Sequence, residues 1–310
     1  MRVVFLCPPV GKINGGLKYI FRMAEVLRSA GVDAVVFEKD KARPQWFAST
    51  APMIGQDELR PQNDEILVLS EDQPDVMRTV APWPQRKVIY CQNHFYAAIG
   101  AQGARSFADF GVADILCSSR TIMDYCQLRH PGTRTHLIPC AVDQALFAPA
   151  VKTRTIALVP RKRPVEAMFI QDMFMALVPA WRDVEWLSLD QVSEHDMAAA
   201  LGRAAVFLSL SRLDGFGLTP VEAMASGCVV AGFTGIGGRE YATPQNGFWA
   251  EEDDFAACRT ALRQALQLWS TGGQQLADYQ TATRATIANY TPEIFAESVC
   301  GAWEKIINQA

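Results

Sequence analysis

Short runs of β-branched and apolar residues alternate along this chain with stretches whose apolar positions fall every three or four residues. In the first half the runs are Val3–Leu6, Ala34–Phe37, Ile66–Leu69, Val88–Tyr90, Ile115–Cys117 and His136–Ile138. Near-continuous apolar runs separated by helical patterns predict parallel strands covered by helices on both faces. Leu17, Ile20, Phe21, Ala24 and Leu27 repeat at helical spacing, and Gly31 follows as a C-cap, so a helix starts straight after Gly15-Gly16. The pattern restarts near Thr155 with Ile156–Val159, Val184–Leu189, Val206–Leu210 and Cys228–Phe233. Between the two series, Asp143–Arg154 carries Pro149 and no strong periodicity, which predicts a linker. After Glu251 only helical patterns remain, at Phe255–Trp269, Leu276–Ala288 and Pro292–Asn308. The expectation is an α/β protein with one Rossmann-like domain over residues 1–148 and a second over 149–290.

Composition agrees with this and removes several alternatives. A length of 310 residues suits two domains of roughly 150 residues each. A chain that is 49% hydrophobic and 20% charged is globular, and a net charge of -4 gives no electrostatic reason for a nucleic-acid partner. The 8 cysteines are scattered without a C-x-x-C pair, which suits reduced, buried thiols and a cytoplasmic location. The 4 histidines are equally dispersed, so no metal site is expected. The opening MRVVFLCPPVGKINGG reads as a first strand cut by prolines, not as a signal peptide. With no apolar segment approaching the roughly 20 residues that span a bilayer, membrane contact is expected to be peripheral at most.

Several places could carry chemistry. Gly15-Gly16 lies between a strand and a helix, where backbone amides approach a ligand and a helix N-terminus favours phosphate; a plain turn explains it as well. Arg161-Lys162-Arg163 follows a strand end and could neutralise a diphosphate, or be a solvated basic turn. The most specific stretch is SRLDGFGLTPVEAMASGCVVAGF, between two predicted strands. Asp214 precedes a loop with Gly215 and Gly217, while Thr219 and Glu222 have capping-box spacing with Pro220 at the first helical position. A cap accounts for Glu222 but not for the acid before a two-glycine loop. Glu251-Glu252-Asp253-Asp254 reads as the acidic start of a helix more readily than as a metal site.

DGFGLTPVEAMASGCVV resembles the E-x7-E segment of the retaining family 4 glycosyltransferases. GGLKYIFRMAEVLRSAG is similar to that family's first loop and helix, IPCAVDQALFAP to its interdomain strand and turn, and ALVPRKR to its phosphate-binding strand end. GIGGREY is similar to its donor-side glycine loop and YTPEIFAESVCGAWEKI to its closing helix, so the likeness runs in order along nearly the whole chain. The resemblance implies a GT-B fold, with two Rossmann-like domains facing a central cleft and residues 291–310 forming a helix that packs back on the first domain. It implies a nucleotide-diphosphate-sugar donor, a sugar or glycoconjugate acceptor, no further cofactor, no metal, and transfer with retention.

Carried over by position, Glu222 would bind the donor ribose, Asp214 would lie near the transferring carbon, and Arg161 and Lys162 would hold the diphosphate. Gly15 and Gly16 would offer backbone amides to the same phosphates. Gly215, Phe216, Gly217, Leu218 and Thr219 would line the donor, and His94, beside Gln92 and Asn93, would line the sugar and acceptor pocket. Asp214 departs from the family's usual glutamate by one methylene, which puts its role in question. The rival readings are a sugar-nucleotide epimerase on the same fold and a catalytically inactive nucleotide-binding module. A dinucleotide-dependent oxidoreductase lacks its G-x-G-x-x-G fingerprint here. Donor base, donor sugar and acceptor depend on loops that vary within the fold.

Overall fold

The computed structural model describes residues 1–11 and 13–308. The chain divides into two compact units, Met1–Cys140 with the segment from Glu293, and Ala141–Pro292. Among the described residues the first unit holds a seven-stranded sheet of β1 (Arg2–Leu6), β2 (Asp33–Phe37), β3 (Met53–Ile54), β4 (Ile66–Ser70), β5 (Arg86–Cys91), β6 (Val112–Cys117) and β7 (Arg134–Leu137). The order is β3-β2-β1-β4-β5-β6-β7, and the paired strands run parallel. β4, ILVLS, is buried at every position, as a central parallel strand covered on both faces must be. The helices are α1 (Gly15–Ser29), α2 (Pro74–Val80), α3 (His94–Gly100) and α4 (Arg120–Arg129).

Among the described residues the second unit's sheet has five strands: β8 (Thr153–Leu158), β9 (Glu185–Ser188), β10 (Ala204–Asp214), β11 (Val229–Ile236) and β12 (Phe248–Ala250), ordered β12-β11-β10-β8-β9 and again parallel. Around it lie α5 (Pro164–Leu177), α6 (Glu194–Arg203), α7 (Leu218–Ala225), α8 (Phe255–Thr271) and α9 (Gly273–Ile287). Its core joins Ile156, Leu208, Phe233 and Leu262, strand faces packed on α8.

Residues 141–148, expected in the first domain, are tied into the second unit. Val142 donates its amide to Tyr290 O at 2.8 Å, and Ala150 to Gly202 O at 3.0 Å. Lys152 then reaches the carbonyls of Leu201 at 3.0 Å and Ser226 at 2.6 Å, closing the ends of α6 and α7. A stretch without periodicity is thus held by backbone hydrogen bonds together with the isolated buried side chains of Val142 and Phe147.

The last helix, α10 (Pro292–Asn308), belongs to the first unit. It buries Phe295, Val299, Trp303 and Ile306. Trp303 meets Phe5 with ring centroids 6.2 Å apart, Phe295 meets Tyr19 at 5.6 Å, and Arg86 caps the helix through Ile306 O at 2.5 Å. Each such fully buried side chain is worth about 1.5–3 kcal/mol, enough to fix the helix there. Among the described residues no helix is long and apolar enough to cross a membrane, and most of the cysteines are buried free thiols, Cys300 being exposed.

Candidate functional site

Open parallel sheets bind ligands beyond the carboxyl ends of their strands, where the strand order reverses. In the second unit β8 continues outward to β9 while β10 lies on its other side, so that point falls between β8 and β10. The segment after β8 is Val159–Arg163, and β10 ends at Asp214. Arg161, Lys162 and Asp214 are therefore brought to one edge by topology alone.

Lys162 donates to the Arg212 carbonyl at 3.0 Å and to the Leu213 carbonyl at 3.5 Å, and forms an ion pair with Asp214. Asp214 also receives the Arg212 amide at 3.3 Å. The three adjacent cations have three different environments. Arg161 is exposed, Lys162 is half-buried against Asp214, and Arg163 is only 1% exposed. Arg163 pairs with Asp253 and with Glu252 at 2.6 Å, donates to Ser211 O at 3.3 Å, and lies 4.5 Å above the Phe233 ring. Glu252 in turn accepts the Gly235 amide at 2.8 Å. The acidic run therefore does two things: Asp254 caps α8 through Ala257 N at 2.8 Å, and Glu252 and Asp253 neutralise a buried arginine. The basic cluster supplies Arg161 and Lys162 to the edge, and Arg163 holds that edge together.

The capping box expected from Thr219 and Glu222 does not form. α7 begins at Leu218 with Gly217 as its N-cap, in the left-handed region at φ 82°, and no side chain caps the helix. Thr219 thus lies inside the first turn, and Glu222 is a buried residue of the helix interior. Tyr241 Oη donates to Gly217 O at 2.6 Å and so fixes that cap. A Cβ on Gly237 would sit 2.5 Å from Asp214 O and 2.6 Å from Gly215 O, so the loops at 214–217 and 235–238 meet backbone to backbone. Phe216 is buried between Tyr241 at 5.3 Å and Tyr290 at 4.9 Å, a supporting position beneath the loop. Leu213 at φ 48° and Ile236 at φ 72° occupy strained backbone on either side of the Asp214–Ile236 pairing. Strain of this kind persists where the surroundings over-determine it.

In the first unit the strand order reverses between β1 and β4. Helix α1 starts at Gly15 itself, two residues earlier than expected, because Asn14 caps it by accepting the Gly16 amide at 3.0 Å. Gln92, just beyond β5, donates to Gly16 O at 3.0 Å, and a Cβ on Gly16 would lie 3.0 Å from Gln92 Oε1. His94 opens α3 behind the cap Asn93, which accepts Phe95 N at 3.0 Å. Its ring rests on Phe95 at 4.1 Å and near Tyr125 at 5.6 Å, and its buried Nδ1 has no hydrogen-bond partner among the described residues. Burial lowers the imidazole pKa, with Cys126 opposing, so His94 is neutral at pH 7. Glu71, a 4% exposed carboxyl directly after β4, lies against the amides of Gln92 and Asn93, a burial that nothing in its local sequence signals. Among the described residues no group of three or more His, Cys, Asp or Glu side chains could hold a metal ion.

Residues 183–285 match the family described as "Glycosyl transferases group 1". The chain is 25% identical over 282 residues to a protein of Actinobacillus pleuropneumoniae serotype 7 named alpha-1,6-glucosyltransferase, spanning 87% of this chain and 84% of the relative. Among solved structures, Anabaena HepE in complex with UDP and glucose superposes with a TM-score of 0.71 at 12% identity, over 98% of this chain and 99% of HepE. Sucrose-phosphate synthase from Thermosynechococcus elongatus superposes with a TM-score of 0.68 at 14% identity, over 100% of both chains. The fold is GT-B.

Proposed function

We propose that this chain, which has the GT-B fold, is a glycosyltransferase of group 1 and moves a hexosyl group from a nucleoside-diphosphate sugar to a carbohydrate-bearing acceptor with retention of configuration. The observation that carries the reading is the meeting of Arg161, Lys162, Asp214 and the Gly215–Gly217 loop at the switch point of the second sheet. Two cations and an α7 N-terminus without a side-chain cap suit a diphosphate, which gains charge as it leaves. Glu222, on α7 behind that terminus, would take the ribose hydroxyls.

In the proposed reaction the bond from the anomeric carbon to the β-phosphate oxygen breaks, and its electron pair stays on the phosphate. The acceptor hydroxyl oxygen bonds to the anomeric carbon on the same face, and its proton passes to the departing phosphate. No electron transfer occurs and no metal is required, because Arg161 and Lys162 offset the developing charge. Lys162 would exchange its carbonyl contacts for phosphate oxygens while Asp214 keeps it oriented. His94, neutral and with Nδ1 unengaged, could hydrogen-bond a sugar hydroxyl.

The relative named as a glucosyltransferase and the neighbour solved with UDP and glucose make UDP-glucose the first donor to test. A thermal-shift panel of nucleoside-diphosphate sugars, followed by product analysis with sugar acceptors, tests the proposal. The expected result is a raised melting temperature with one donor and release of its nucleoside diphosphate. Stabilisation by none of the donors would refute it. The ion pair that already engages Lys162 favours a second reading, a nucleotide-binding module; donor binding with no turnover under any acceptor would establish that one instead.

A further inference from the structure

We infer that Glu71 is a positioning residue for the reaction, its carboxyl fixing the Gln92–Asn93–His94 turn and, through Gln92, the first turn of α1. The inference rests on the transferase reading above. Glu71 follows β4 at the point where the first sheet's strand order reverses. Its carboxyl receives the backbone amides of Gln92 and Asn93. Those two residues do the adjoining work: Gln92 holds Gly16 O at 3.0 Å, and Asn93 caps the helix that His94 opens. From the other side α3 closes onto Glu71 so tightly that a Cβ on Gly100 would lie 1.8 Å from its carbonyl oxygen. One buried side chain thus joins the ends of β4 and β5 and the starts of α1 and α3.

The carboxyl does this in its neutral form. The groups that sense its charge are Asp72 in its own loop, Tyr90 and Cys91 on β5 and Cys117 on β6, and α3 presents Gly100 and no charge. No cation among them offsets an ionised Glu71. Burial, with Asp72 second, raises its pKa to about 8, although its own amide and those of Gln92 and Asn93 act the other way. Ionisation would place an unpaired charge in an apolar and thiol setting, and the turn would have to open to hydrate it. The sign follows from proton binding: between the unfolded value of 4.5 and about 8, the folded state holds a proton that the unfolded state has lost. Glu71 therefore makes stability fall as pH rises through that window.

The test compares wild type, Glu71→Gln and Glu71→Ala in the full chain. The amide resonances of Gln92 and Asn93 should titrate with a midpoint near pH 8 in wild type and stay flat in Glu71→Gln, which carries a permanently neutral side chain. With UDP-glucose as probe, wild-type turnover should fall about tenfold per pH unit above that midpoint. Glu71→Gln should remain flat there, and Glu71→Ala should be impaired at every pH. Melting temperatures should diverge in favour of Glu71→Gln as pH rises from 5 to 8. If wild type turns over no nucleotide sugar, the transferase reading has failed, and resonances and melting still decide the role of Glu71. Gln92 and Asn93 resonances that titrate alike in wild type and Glu71→Gln would overturn the inference.

Discussion

Replacing Tyr241 by Phe removes a single oxygen from the edge of the second unit where the loop after β10 meets α7. That oxygen donates to Gly217 O at 2.6 Å. Gly217 is the left-handed N-cap of α7, and the ring of Tyr241 is packed against Phe216 at 5.3 Å, so the phenylalanine keeps the shape and loses only the hydrogen bond. An average hydrogen bond contributes about 1 kcal/mol net, and a buried acceptor left without its donor costs about 1–3 kcal/mol. Gly217 is only half-buried and water can partly replace the phenol, so the lower part of that range applies, about 1–2 kcal/mol. For a unit of this size that lowers the melting temperature by roughly 2–8 °C. The functional effect should lie in binding: the Gly215–Gly217 loop loses its anchor, so the donor KM should rise several-fold while kcat changes little. Calorimetry and initial-rate kinetics with UDP-glucose measure both. A melting temperature within about 1 °C of wild type together with an unchanged donor KM would refute the role given to this contact.

Glu222→Gln should chiefly raise the donor KM, since ribose binding is the same in ground and transition states, whereas Lys162→Ala should lower kcat by roughly tenfold or more. Wild-type constants in both variants would dismiss the site assignment. Lys152→Met leaves the carbonyls of Leu201 and Ser226 without their shared donor and should destabilise the second unit by about 2–4 kcal/mol, read by urea unfolding. Burial works to raise the pKa of Asp114, but hydrogen bonds from His136 and Arg134 outweigh it and hold the carboxyl at about 2. A depressed carboxyl stabilises the fold above its unfolded value and loses that contribution as pH falls, so wild type should shed about 2 kcal/mol between pH 4 and 2, and Asp114→Asn should not.

Strands were legible where burial on both faces forces a continuous apolar run. ILVLS and AAVFLSL cannot be anything but interior strands once helical patterns flank them. β3 and β12 left no such trace. Met53–Ile54 and Phe248–Ala250 are short edge strands that pair along one side only, and their pairing depends on where β2 and β11 already lie. The C-terminal helix was legible because Phe295, Val299, Trp303 and Ile306 share a face that its own sequence neighbourhood cannot cover.

The strand-edge placement of the basic cluster was legible and its partners were not, and the same physics explains both. Strand ends can be located from sequence, so Arg161 and Lys162 could be placed at an edge. Which charges Lys162 and Arg163 would meet could not be found this way, because Asp214 reaches Lys162, and Glu252 and Asp253 reach Arg163, across many intervening residues. Thr219 and Glu222 carry the local signature of a cap, but the close approach of Gly237 to Asp214 and Gly215 sets the loop so that Gly217 reaches the cap position first. Tertiary backbone contact overrode a side-chain preference worth about 1 kcal/mol. That override left Glu222 buried in the helix interior and not at a cap. The proposed ribose contact of Glu222 rests on that interior position, whereas its spacing alone would have made it a helix cap.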